Sequence, residues 1–172
     1  MKHYSIYCDG STRGNGTSNA VGAWAFCVVE TATQKLVHSD VAVERNTTNQ
    51  RMELTAAIKA LEWAEYAISG NPIAIYSDSA YLLNCIKQMW WIKWERNGWV
   101  NSKKEPVANK DLWMQLMPSF TIFGIDFIKV KGHTAGSTVH EKWNNYVDEL
   151  AQTASAAYQK QTKENNNGNS NN

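Results

Sequence analysis

TTNQRMELTAAIKALEWAEYAISGNP, residues 47–72, reads as one amphipathic helix with a marked start and stop. Thr47 or Thr48 can cap its first turn with a side-chain oxygen. Leu54, Ile58, Leu61 and Ile68 recur at helical spacing and form an apolar stripe. Beside that stripe Ala57, Ala60 and Ala64 are small, so the helix backbone can lie close against a sheet. Glu53 stands at the head of the alanine row and is therefore expected to face the sheet. Gly70-Asn71-Pro72 ends the helix.

Working outward, three strands precede this helix. Residues 3–9 alternate, Val21 to Glu30 is apolar with β-branched and aromatic members, and Lys35 to Glu44 continues the strand character. Linked by turns, they suggest an antiparallel meander. After the helix come a short buried strand (73–77), a helix from about Ala80, a Trp-rich segment (89–99), a Lys-rich loop and a helix around Leu112-Trp113. The last strand is Ile125 to Val130, and the last helix spans roughly Val139 to Tyr158. This order predicts an α/β fold: a mixed five-stranded sheet, three strands antiparallel and two parallel, flanked by helices. The stretch from Gln159 to Asn172 has nothing to bury and is expected to be a disordered Asn-rich tail, leaving 1–158 as the single folded domain.

A chain of 172 residues, 43% hydrophobic and 19% charged, suits one globular domain. The net charge of +1 says little about partners. Cys8, Cys27 and Cys85 lie in apolar settings and read as small buried hydrophobes in a reducing compartment. Met1-Lys2-His3-Tyr4 runs straight into strand pattern, with no signal-peptide core and no membrane-spanning run. A cytoplasmic monomer is the expectation.

Asp9, Glu53, Asp78 and Asp148 sit in contexts that suggest chemistry. Asp9 closes an apolar run before Gly10-Ser11, Asp78 follows the strand 73–77, and Asp148 lies in the last helix. Each also has an ordinary reading. Asp9 could form a turn, Glu53 could complement a helix dipole, Asp78 could cap the next helix, and Asp148 could be solvated. Carboxylates at the ends of neighbouring parallel strands can converge, and converging carboxylates need a cation. Hard oxygen ligands select Mg2+ or Mn2+, and a pair of such ions is the usual machinery for cutting phosphodiesters. Asn144 lies four residues before Asp148 on the same helix face.

The chain resembles the bacterial-type, type 1 ribonuclease H family. The matching pieces, in the family's order, are Tyr7-Cys8-Asp9-Gly10-Ser11, Thr48 through Leu54, Tyr76-Ser77-Asp78-Ser79, Val130-Lys131-Gly132-His133, and Asn144 through Ala151. The resemblance implies an endonuclease that cuts the RNA strand of RNA–DNA hybrids. It implies that Asp9, Glu53, Asp78 and Asp148 hold two Mg2+ ions (Mn2+ substituting), with Asp9 bridging them. In-line attack by water would leave a 5′-phosphate and a 3′-hydroxyl. His133 is the implied proton-transfer or product-release group. The segment between His133 and Asp148 is longer than in the commonest bacterial pattern, and His140 inside it is the alternative.

The resemblance also implies how the hybrid is held. Asn49 and Gln50 match residues that reach the RNA minor-groove side, Asn15 a hybrid-contacting position, and Thr48 a hydroxyl that holds a DNA phosphate. Each could instead be a local turn or cap residue. The loop Gly16 to Ala20 lacks the usual proline-glycine, and Ala80 replaces a residue that is often polar. Trp90 through Trp99, with Lys103, Lys104 and Lys110, is the basic aromatic part of the chain and resembles the family's handle. Trp94 and Trp99 match handle positions, although tryptophans there could equally be core. Asn144, Lys103 and Lys104 complete the expected substrate contacts. Two rival readings are a strand-transferase or resolvase on the same fold and a hybrid-binding module with a dead site.

Overall fold

The computed structural model describes residues 1–168. Its central helix, α1 (Asn49–Ala67), begins where Thr48 accepts a hydrogen bond from Arg51 N at 3.2 Å, so Thr48 and not Thr47 is the cap. Ala57, Ala60 and Ala64 are all buried, with Leu54 and Ile58. Leu61 is half-buried against the same core. The chain leaves the helix through Gly70 at a φ of +78°, a conformation that favours glycine.

The strands are β1 (Tyr4–Arg13), β2 (Val21–Glu30), β3 (Lys35–Arg45), β4 (Ile73–Ser77) and β5 (Ile125–Lys129). They form one sheet in the order β3-β2-β1-β4-β5. The first three are antiparallel; β4 runs parallel to β1 and to β5. The period of two sorts the side chains. Ile6, Cys8, Phe26 and Val28 face α1, whereas Tyr7, Ala25, Cys27 and Val29 face the last helix. Both faces of β2 are thus covered, which is why its sequence is a continuous apolar run instead of an alternation. Cys8, Cys27 and Cys85 are free and buried, and burial raises each thiol above its ordinary range.

The remaining helices are α2 (Ala80–Lys87), α3 (Trp90–Arg96), α4 (Lys110–Leu116) and α5 (Val139–Gly168), with a 3-10 turn over Met117–Thr121. Two boundaries correct the sequence reading. β1 does not stop at Asp9 but continues to Arg13 alongside β2. α5 does not stop at Tyr158 but carries the expected tail on as helix to Gly168. Gln159, Lys160, Gln161, Lys163 and Glu164 have high helix propensity, and lengthening an existing helix costs no nucleation. Residues 169–172 of that tail lie outside the described residues.

Candidate active site

β1 and β4 pair side by side only as far as Tyr7 and Tyr76, and the site lies just beyond that point. Where parallel strands end or part, a crevice opens at their carboxyl ends. Asp9 sits there on β1, on the α5 face, and Asp78 follows the end of β4. α1 reaches the same place because Gly10 has no side chain: a Cβ there would collide with the backbone of Met52 and Glu53. Gly132 does the same for the loop after β5, where a Cβ would strike the Asp78 carboxylate. α5 supplies Asp148 and, one turn earlier, the fully buried Asn144.

The structure brings all four expected carboxylates to this crevice. Asp9 is buried, and its carboxyl is pushed far above the usual range. Desolvation is the main cause, followed by the charges of Asp78 and Asp148 and a hydrogen bond shared with Asp148. Glu53 is also raised, by burial first and by Asp78, while the Ser79 hydrogen bond and the Lys129 charge pull the other way. Among the described residues, no three of the His, Cys, Asp and Glu side chains are gathered so as to enclose an ion. Three of the carboxylates are turned onto polar neighbours instead. Ser79 Oγ donates to Glu53 at 2.5 Å, Asn144 donates to Asp78 at 3.1 Å, and Gln152 donates to both oxygens of Asp148 at 2.9 Å. Asn144 Oδ1 is buried without a hydrogen-bond partner among the described residues. A buried acceptor beside an all-oxygen, anionic donor set fits a hard divalent cation and its water.

The two histidines part company. His133 has a φ of +52° in an exposed loop, and its Nδ1 lies 3.8 Å from Asp148 Oδ2. His140 is held away from the carboxylates, its ring stacked on Tyr76 at 4.3 Å and Nδ1 2.8 Å from the Tyr7 hydroxyl.

Of the expected hybrid contacts, Asn15 Oδ1 accepts from the backbone of Asn49 at 3.2 Å, so the loop after β1 and the head of α1 form one edge. Asn49 and Gln50 are exposed on it. Thr48 uses its oxygen as the α1 cap, which leaves the hydroxyl proton free to donate. Lys103 and Lys104 are exposed at a loop tip folded around Asn101, whose side chain accepts from the backbone of Lys103 and Glu105 at 2.9 and 3.0 Å. Trp99 is different. It is 8% exposed, with Trp94 wedged between it and Trp113 at ring distances of 5.9 and 5.5 Å. Trp99 thus supports the handle from inside as a member of the main core and presents no ring face to solvent. Trp94 is half-buried in the same stack.

Several further residues take part in the site in roles that the sequence did not assign them. Ser79 caps α2 through Leu82 N and also binds Glu53. Lys129 donates to the backbone carbonyl of Asp78. Arg51 makes a two-pronged ion pair with Asp111, at 2.9 and 2.8 Å, tying the head of α1 to α4. A shallow groove of about 540 Å³ leads from Asp148 past Gln152 to Lys160, with Arg13 on its wall. A second cleft of about 700 Å³ lies at the opposite end of β4 and β5, lined by Ile58, Ile68 and Phe123, and includes none of the four carboxylates.

The RNase H family model matches residues 1–156. A ribonuclease H of Moorella thermoacetica is 40% identical over 161 residues, 94% of this chain and 97% of the relative. One of Syntrophomonas wolfei is 43% identical over 156 residues, 90% of this chain and 97% of the relative. Among solved structures, LC9-RNase H1, a type 1 RNase H with the type 2 active-site motif, superposes with a TM-score of 0.75 at 24% identity, over 91% of this chain and 74% of that one. The foamy viral protease–reverse transcriptase in complex with an RNA/DNA hybrid gives a TM-score of 0.74 at 21% identity, over 88% of this chain and 20% of that one. At those identities the structural likeness speaks for the fold, and the curated relatives with the family match speak for more: this chain belongs to the ribonuclease H family.

Proposed function

We propose that this endoribonuclease cuts the RNA strand of RNA–DNA hybrids internally, leaving a 5′-phosphate and a 3′-hydroxyl. The observation that carries the reading is the buried Asp9 carboxyl facing Asp78 and Asp148, a concentration of negative charge that calls for cations. Asp9, Glu53, Asp78 and Asp148 would hold two Mg2+ ions, with Mn2+ as a substitute. When bound, such ions activate the attacking water and stabilise the departing oxygen.

The chain's own residues do the rest. Asn144 holds Asp78 in place through the 3.1 Å hydrogen bond. Ser79 orients Glu53. His133, on its exposed loop beside Asp148, serves proton transfer or product release. The edge formed by Asn15, Asn49 and Gln50 would read 2′-hydroxyls, which only the RNA strand carries. Thr48 would take a phosphate of the DNA strand, and Lys103 and Lys104 would grip backbone farther off. The curated ribonuclease H relatives at 40% and 43% identity support this substrate. Among the described residues no helix is long and apolar enough to cross a membrane. We infer a cytoplasmic enzyme acting as a monomer.

The test is a labelled RNA–DNA hybrid set beside duplex DNA and duplex RNA, with Mg2+ or EDTA. Internal cuts in the RNA of the hybrid alone, abolished by EDTA, are expected. Efficient nicking of pure DNA would favour the transferase or resolvase reading, and binding without cleavage the dead-site module.

A further inference from the structure

We propose that His140 is a positioning residue that sets the register of α5 against the two strands carrying Asp9 and Asp78. The inference deepens the hybrid-cleaving reading and rests on it for its kinetic test. His140, Asn144 and Asp148 are four residues apart and share one face of α5. Each touches the strand pair. Nδ1 of His140 lies 2.8 Å from the Tyr7 hydroxyl and its ring stacks on Tyr76 at 4.3 Å with planes 17° apart. Asn144 donates to Asp78 at 3.1 Å, and the Asp148 carboxylate faces Asp9.

The strands carry a matching pattern. Tyr7 precedes Asp9 by two residues and so lies on the same face of β1. Tyr76 precedes Asp78 by two residues at the end of β4. Tyr7 and Tyr76 stack on one another with centroids 5.0 Å apart, directly alongside the last paired positions of the two strands. The result is two successive rungs between α5 and the strands. One is aromatic, with His140 against Tyr7 and Tyr76. The other is polar, with Asn144 and Asp148 against Asp78 and Asp9. The polar rung alone is a poor anchor, because Asp148 is itself a carboxylate that repels Asp9 and Asp78. The aromatic rung has no such conflict and holds the helix at a fixed height.

A second anchor on the same helix turn serves as a control. Trp143 sends its indole N–H to Gln34 Oε1 at 3.1 Å, in the turn between β2 and β3. That contact docks α5 without addressing β4, and a phenylalanine in its place removes the hydrogen bond while keeping a ring beside Tyr7, whose centroid lies 6.3 Å from that of Trp143.

The experiment compares His140→Phe, Tyr7→Phe and the double variant with Trp143→Phe, at a temperature where circular dichroism shows every protein folded. Steady-state cleavage of a labelled hybrid gives kcat and KM, and 15N NMR follows the Asn144 side-chain amide. Loss of the one shared hydrogen bond should lower kcat by about 2- to 10-fold, equally in both single variants and the double, with KM unchanged. The Asn144 amide signal should shift or broaden in the same three proteins. Trp143→Phe should lower the melting temperature while leaving kcat and that signal as in the wild type. Wild-type kcat and an unchanged Asn144 signal in His140→Phe would overturn the proposal. So would losses that multiply in the double variant, or the same kcat defect in Trp143→Phe. Failure of the wild type to cut the hybrid would defeat the proposed function instead, and the Asn144 signal would then decide the role of His140.

Discussion

At the carboxylate end of the sheet, Asp9 is buried against Asp78 and Asp148; between Trp90 and Lys110 the rings of Trp94 and Trp99 turn inward and Lys103 and Lys104 stand in water. The second region obeys the ordinary economy of folding, with apolar groups packed and charges solvated. The first violates it. Burying a carboxylate beside two others raises the free energy of the folded chain, and such conflicts collect where chemistry is done. The two regions should therefore respond in opposite ways to substitution: one in rate, with stability gained, the other in stability or grip, with the chemical step intact.

The largest expected effect is that of Asp9→Asn. It should reduce cleavage to well under about a tenth of the wild-type rate, measured with Mg2+ on a labelled hybrid. Thermal melting in EDTA should show the variant to be more stable than the wild type. The sign follows from the raised Asp9 carboxyl. A group whose folded pKa exceeds its unfolded value contributes stability below the unfolded pKa, about 3.9 for Asp, and that stability is lost as pH rises toward the folded value. The advantage of Asp9→Asn should therefore widen from about pH 4 upward. A variant that melts lower than the wild type at neutral pH would break the contrast at its first limb.

His133→Ala should slow turnover by roughly one to two orders of magnitude, the range for a lost proton-transfer group, without lowering the melting temperature. His140→Ala should do much less to the rate. Paired steady-state measurements decide it, and the larger defect in His140→Ala would reverse the assignment.

In the handle the order of effects inverts. Trp99→Ala removes a buried indole and should cost about 3–5 kcal/mol of folding stability, read by chemical denaturation. The Lys103→Ala/Lys104→Ala double variant should leave stability within about 0.5 kcal/mol of wild type. It should raise KM more than it lowers kcat, and flatten the salt dependence of hybrid binding. A large kcat loss at unchanged KM would move these lysines into the active site. The smallest effect belongs to the end of α5: removing residues 159–172 should change neither activity nor melting temperature, and a loss of several degrees would show that this helical extension packs on the body.

The same contrast explains what could be read from the chain in advance. Asp9, Glu53, Asp78 and Asp148 were legible because each sits at a recognisable point in the order of elements, and Glu53 because the alanine row beside it must face a sheet. Trp94 and Trp99 were ambiguous, since a tryptophan among lysines suits a nucleic-acid surface and a small core equally. Only the burial of Trp99 in the core, with Trp94 stacked between it and Trp113, separates the two. The end of α5 is helical although it has nothing to bury, because absence of apolar residues argues against burial and not against helix.

By itself the sequence determined the five strands, the capped and alanine-lined α1, the mixed sheet and the four carboxylates. The strands, α1 and the sheet follow from period, capping and turn chemistry, which act over a few residues, and the carboxylates were picked out by their place in the order of elements and by the family resemblance. The tertiary structure alone decided which histidine stands near Asp148, that Gly10 and Gly132 admit α1 and the His133 loop to the site, and that Arg51 pairs with Asp111. It also joined Tyr7 to His140 across 133 positions. Such pairings depend on the path of the whole chain, and no local pattern encodes a contact whose partner is brought in from the far side of the sheet.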